Sequence, residues 1–263
     1  MVRESVGARH PLLKSIRKAA LKGALTEDGY CVAESFHLLD EALRSDRDVK
    51  TILTVESVRS TVERRVAHLR GTRVLTLDDA LFEQVATTET SQGVLSLVAP
   101  PQWTLDALFR GQCLVVVLDT LQDPGNAGAI VRAAEAFGAT GILCLKGTVS
   151  LFNPKALRAS AGSIFRVPVI QGMDADLAAA TLAQRRVDLY ATLPQGGRSL
   201  PTADLTRRTA FLIGSEAHGV RPALRAAAFD LHIPTFGVES LNAALAAGIL
   251  LYESHRQRSL AAK

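Results

Sequence analysis

Residues 113–119, Cys-Leu-Val-Val-Val-Leu-Asp, run apolar without alternation until the closing acid. A strand with one face in water alternates polar and apolar residues. An unbroken run instead fits a strand covered on both faces, as in parallel sheets whose crossovers are helices. The following residues can supply such crossovers. A helical pattern spans about 126–137, and strand-like runs follow at Gly141–Leu145, Val167–Ile170, Val187–Ala191, Ala210–Ile213 and Asp230–Ile233. A long helical stretch then runs from about Glu239 to Arg256. This order predicts a mostly parallel α/β sheet in the C-terminal part of the chain.

The N-terminal part reads as a second α/β unit. Leu12, Leu13, Ile16, Ala19 and Ala20 recur at three- and four-residue spacing, with Gly23 as a stop. Strand-like runs at 30–33 and 49–55 each precede a helical pattern, over 34–44 and 59–69, and Arg73–Leu77 and Gly93–Val98 are further strand candidates. The expected fold is α/β/α. Ala99-Pro100-Pro101, followed by a short helical segment at Leu105–Phe109, reads as a break. The predicted organisation is a first domain over 1–99, a linker over 100–112 and a second domain over 113–263.

Several function classes are disfavoured by composition. No apolar run approaches the ~20 residues of a membrane span, and the N-terminus lacks a signal peptide's apolar stretch, so a cytoplasmic location with no membrane partner is expected. Cys31, Cys113 and Cys144 lie in or beside strand-like runs without metal-ligand spacing and read as buried hydrophobes. The six His are scattered, so no metal is expected. The formal charge is only +4, but residues 1–22 carry Arg3, Arg9, Lys14, Arg17, Lys18 and Lys22 against the single acid Glu4. That strip suits an anionic polymer, and a solvated helix face accounts for it equally well.

Three segments carry candidate chemistry. In the first, 118–139, a strand ends at Asp119, turns through Asp123-Pro124-Gly125-Asn126 and enters a small-residue helix. Ligands of open α/β sheets bind beyond the carboxyl ends of strands, often against a helix N-terminus. A dinucleotide site is disfavoured, because Gly125 and Gly128 do not complete G-x-G-x-x-G and Leu145-Lys146 stands where a ribose-binding acid is expected. Asn126 could cap the helix. Arg132, less than two turns on, can reach back toward the crevice or pair with Glu135 on the surface. The second segment, 209–220, joins a buried strand to a glycine-flanked turn bearing Glu216. In the third, 231–253, Ser240-Leu241-Asn242 opens an Ala- and Leu-rich helix suited to packing on the sheet or on a second subunit.

Together, DPGNAGAIVRAAEAFG, LIGSEAHGV and IPTFGVESLNAALAAGILLYE resemble, in order, the three motifs of the SpoU, or TrmH, branch of the SPOUT RNA 2′-O-ribose methyltransferases. The resemblance covers roughly residues 113–255. It implies a trefoil-knotted catalytic domain, a homodimer with the site between subunits, and S-adenosyl-L-methionine as cofactor. Thr192, Gly214, Ile233 and Leu241 would line the cofactor pocket, and Asn126, Arg132, Glu216, Ser240 and Asn242 would form the catalytic site. Arg132 would be general base or, since a guanidinium keeps its proton, a clamp on charge. Residues 1–98 resemble the ribosomal-protein-like substrate-binding domain of many members, and Lys155, Arg158 and Arg166 become phosphate-contact candidates. Large-subunit ribosomal RNA is the favoured substrate, with tRNA as the alternative. A non-catalytic RNA-binding assembly factor is the competing class.

Overall fold

The run at 113–119 does form a strand near the middle of a parallel sheet. This computed structural model describes residues 4–5, 7–215 and 219–261. The chain divides into two compact units: residues 1–102 with 150–166, and residues 103–149 with 167–263.

Among the described residues, the N-terminal stretch of the first unit forms β1 (Glu4–Ser5), α1 (Pro11–Lys22), β2 (Cys31–Glu34), α2 (Phe36–Arg44), β3 (Val49–Val55), α3 (Glu56–Val66), β4 (Arg73–Leu77), α4 (Asp79–Glu83) and β5 (Val94–Val98). The sheet order is β1-β4-β3-β5-β2, with β5 antiparallel to both neighbours and the remaining pairs parallel. Sequence-level stops and starts act as expected here. Gly23 ends α1 with a left-handed φ of 59°, its N–H turned back to the last carbonyls of the helix. Ser35 Oγ accepts from Leu38 N at 3.1 Å to begin α2. Strand β1 and the short α4 carry too few residues for a period to show, and both are new from the structure.

In the second unit come β6 (Leu114–Leu118), α5 (Pro124–Ala136) and β7 (Gly141–Leu145). Helix α6 (Pro154–Ser160) lies in the 150–166 segment of the first unit. The second unit resumes with β8 (Val169–Met173), α7 (Ala175–Gln184), β9 (Asp188–Leu193), β10 (Arg198–Ser199), β11 (Thr209–Ile213), α8 (Pro222–Arg225), β12 (Phe229–His232) and α9 (Ala243–Ala261). All pairs of its seven-stranded sheet, ordered β10-β12-β9-β11-β6-β7-β8, are parallel. Every residue of β6 is buried, as the unbroken apolar run requires. Leu108 and Phe109, which follow the proline pair, sit in the core of this unit. All three cysteines are buried free thiols, and burial pushes the Cys144 thiol up to about 12. Among the described residues no helix is long and apolar enough to cross a membrane.

The 150–166 segment is held to the first unit by polar anchors. Glu41, almost fully buried, accepts from Arg166 Nη1 at 2.6 Å and also pairs with Arg44. Buried Glu34 accepts from Thr87 N, Thr87 Oγ1 and Thr88 Oγ1, and Arg158 Nη1 donates to the same Thr87 hydroxyl at 2.6 Å. Arg158 and Arg166, both part-buried, therefore act as anchors within the first unit. Removing one partner of a buried carboxylate leaves its charge undercompensated, so Arg166→Ala is expected to lower stability by about 1–3 kcal/mol. A thermal melt checks this; a melting temperature equal to wild type would contradict the anchoring role.

Candidate active site

The carboxyl ends of β12, β9, β11 and β6 lie side by side in the sheet, and the loops leaving the first three enclose a cleft of about 250 Å³. Thr192, Leu193 and Pro194 come from the end of β9, and Ile213, Gly214, Ser215 and Gly219 from the end of β11 and its turn. Ile233, Thr235, Ser240 and Leu241 follow β12, and Ala243 and Ala246 belong to the first turns of α9. All four residues expected at the cofactor pocket, Thr192, Gly214, Ile233 and Leu241, line this cleft. Thr192 Oγ1 donates to Leu212 O at 3.0 Å, so its hydroxyl braces neighbouring strands.

The turn after β11 is built by close backbone contact. Ser215 and Gly219 exchange two backbone hydrogen bonds, at 3.2 and 2.8 Å. A Cβ on Gly214 would collide with the Gly219 carbonyl and lie 2.6 Å from Val220 N. Only glycine permits this approach. Glu216, the acidic candidate of the turn, and the neighbouring His218 lie outside the described residues.

The cap of α5 is Asp123, whose Oδ1 accepts from Asn126 N at 2.8 Å, and not Asn126 itself. The helix starts at Pro124, two residues earlier than expected, because proline is compatible with the first helical position. Released from capping, the Asn126 side chain meets the start of α9. Asn242 Nδ2 donates to Asn126 Oδ1 at 3.0 Å, while Asn242 Oδ1 accepts from Ala244 N and Leu245 N. Asn242 thus caps α9 and fixes the orientation of Asn126 with the same amide. Ser240 sits on the rim of the cleft.

Arg132 is exposed and does not line the cleft. Six residues of α-helix place it ~9 Å along the axis and roughly 120° around from Asn126. Helical twist thus carries it to a different face of α5 from Asn126 within one chain.

Two residues that sequence reasoning passed over stand beside the cleft. Asp119, at the end of β6, is completely buried and accepts from Arg221 N at 2.9 Å and Arg221 Nε at 2.6 Å. An acid closing an otherwise apolar strand was a visible signal for Asp119. Nothing local marked Arg221, 102 residues away. Among the described residues no group of three or more His, Cys, Asp or Glu side chains could hold a metal ion.

Residues 113–252, which span most of this cleft-bearing unit and the 150–166 segment, match the model of the SpoU rRNA Methylase family. The chain belongs to that family. Residues 10–96 match the MRM3-like substrate binding domain. Across 93% of its length the chain is 31% identical to the 23S rRNA (guanosine(2553)-2'-O)-methyltransferase RlmP of Bacillus subtilis, covering 96% of that protein. It is 30% identical to the 23S rRNA (guanosine-2'-O-)-methyltransferase RlmB of Ralstonia nicotianae, over 92% of this chain and 94% of that one. Among solved structures, the SpoU methyltransferase AviRb of Streptomyces viridochromogenes in complex with the cofactor AdoMet superposes with a TM-score of 0.85. That pair is 26% identical, covering 95% of this chain and 99% of the other. The motif resemblance to the SpoU family read from the sequence therefore holds.

Proposed function

We propose that this chain transfers a methyl group from S-adenosyl-L-methionine to a ribose 2′-hydroxyl of large-subunit ribosomal RNA. The observation that carries this reading is the cleft over the carboxyl ends of β9, β11 and β12 in a SpoU-family chain, lined by all four expected cofactor residues. Its lining fits the cofactor chemically. Ile213, Ile233 and Leu241 offer apolar surface to a base, Ser215, Thr235 and Ser240 offer hydroxyls, and Gly214, Gly219, Ala243 and Ala246 keep the walls thin. Residues 1–99 serve as the RNA-binding domain, and the catalytic domain carries the trefoil knot. The enzyme works in the cytoplasm as a homodimer, with Leu245 and Tyr252, exposed on α9, in the interface.

The bound cofactor supplies an electrophilic sulfonium methyl. The protein's task is to hold an alcohol oxygen in line with it, within ~3–3.5 Å, and to manage its proton. Ser240 and the Asn126–Asn242 pair position the ribose, Asn126 being held with its oxygen toward Asn242 and its amide nitrogen as a donor. Arg132 stabilises charge on the target ribose-phosphate, and Glu216 completes the polar set.

Labelled methyl transfer to unmodified large-subunit rRNA and, separately, to a tRNA pool tests the reading. Ribose-methylated rRNA with unlabelled tRNA is the expected result. Label in tRNA alone would move the substrate class. Cofactor binding without transfer to either pool would favour an RNA-binding assembly factor.

A further inference from the structure

We propose that Asp119 and Arg221 act together as the positioning device of the cofactor cleft, setting its affinity by gripping both ends of the turn that forms one wall. The proposal rests on reading the cleft as the S-adenosylmethionine site. At the entry to the turn, Asp119 N donates to Ile213 O at 2.9 Å, and Ile213 is the residue before Gly214. At the exit, the Asp119 carboxylate accepts from the Arg221 backbone N–H and from its guanidinium. Arg221 Nη2 also donates to Lys146 O at 3.2 Å, just beyond β7. Asp119, just after β6, thus holds the residues that flank Gly214 and Val220, Ile213 through its main-chain N–H and Arg221 through its carboxylate, and Arg221 ties its end to a third strand end.

The choice of residue argues for a directional role. Burying a carboxylate is costly, and an apolar side chain of similar size would fill the space at less expense in desolvation. What an apolar residue cannot do is accept from a main-chain N–H and a guanidinium at once, which fixes the turn in place and in orientation. Between the two gripped ends, Gly214, Ser215 and Gly219 face the cleft. Any slack at Arg221 is passed directly to that wall, because Gly214 and Gly219 are already in backbone contact.

The experiment is calorimetric titration of S-adenosylmethionine into wild type, Asp119→Asn, Arg221→Ala, Arg221→Lys and the Asp119→Asn/Arg221→Ala double variant. Each titration is run well below that protein's melting temperature. Arg258→Ala serves as the stability control, since its guanidinium donates to Gln112, Cys113, Leu205 and Arg207 carbonyls at the opposite ends of the strands. Asp119→Asn and Arg221→Ala should each weaken binding about tenfold or more, and the double variant should add little, as expected for two groups acting as one unit. Arg221→Lys should recover part of the loss, and Arg258→Ala should bind as wild type despite a lower melting temperature. In turnover, the defect should lie in KM for the cofactor and shrink at saturation.

Wild-type affinity in all the Asp119 and Arg221 variants would overturn the proposal and leave the functional reading intact. Equal weakening by Arg258→Ala would reduce the pair to general stabilisation and also overturn it. Failure of wild type to bind the cofactor would sink the reading itself and the proposal with it. Should Asp119→Asn not fold, the comparison of Arg221→Ala with Arg221→Lys still decides.

Discussion

Gly214→Ala is expected to weaken S-adenosylmethionine binding severely while the chain remains folded. The added methyl meets main-chain atoms of Gly219 and Val220, so no rotamer change can relieve the overlap. The turn itself has to move. Overpacking of this kind costs about 1–3 kcal/mol. Since the displaced backbone is the wall of the cleft, most of that cost should appear in affinity, roughly 10- to 100-fold. Titration of the cofactor and its demethylated product, with circular dichroism to confirm the fold, checks this. Affinity within twofold of wild type would show that the turn after β11 is not part of the binding surface.

Arg132→Ala should have the opposite profile, with cofactor affinity unchanged and methyl transfer reduced by roughly 10²–10³, the scale for removing a group that stabilises developing charge. The side chain is exposed on α5 and does not line the cleft, so neither folding nor cofactor binding should depend on it. Within one chain it is turned away from Asn126. If the proposed homodimer has its site between subunits, Arg132 would serve the partner's cleft. Mixing Arg132→Ala with Gly214→Ala chains should then restore part of the activity, because each mixed dimer holds one intact combination of cleft and arginine. Arg132→Lys separates the remaining roles, since a lysine keeps the charge and loses the planar fork that grips a phosphate. Full activity in Arg132→Ala would remove this residue from the mechanism.

Much of the second unit could be read directly from residue patterns. The 113–119 run, the five later strands and the long last helix all appear, displaced by a few residues at their ends. The start of α9 shows why ends are the weak point. Ser240 and Asn242 are both plausible helix starters, and the choice fell on Asn242 because its amide could also reach Asn126. Similarly, Asp123 displaced Asn126 as the cap of α5, with proline following at the first helical position. Glu239 was expected inside the helix and precedes it.

The sequence by itself determined the longer strands and helices α1, α2, α3, α5 and α9, the burial of β6 on both faces, and the three motif stretches that mark the family. Those properties depend on neighbours a few residues apart, where period and capping act. Tertiary structure alone decided how distant polar groups were paired. Asn126 met Asn242 across 116 residues, Asp119 met Arg221 across 102, and Arg166 reached Glu41 across 125. Such pairings follow from strand order and from which loops leave the same end of a sheet. A buried charge or amide takes the partner that geometry brings within hydrogen-bond reach, and no local pattern encodes that choice.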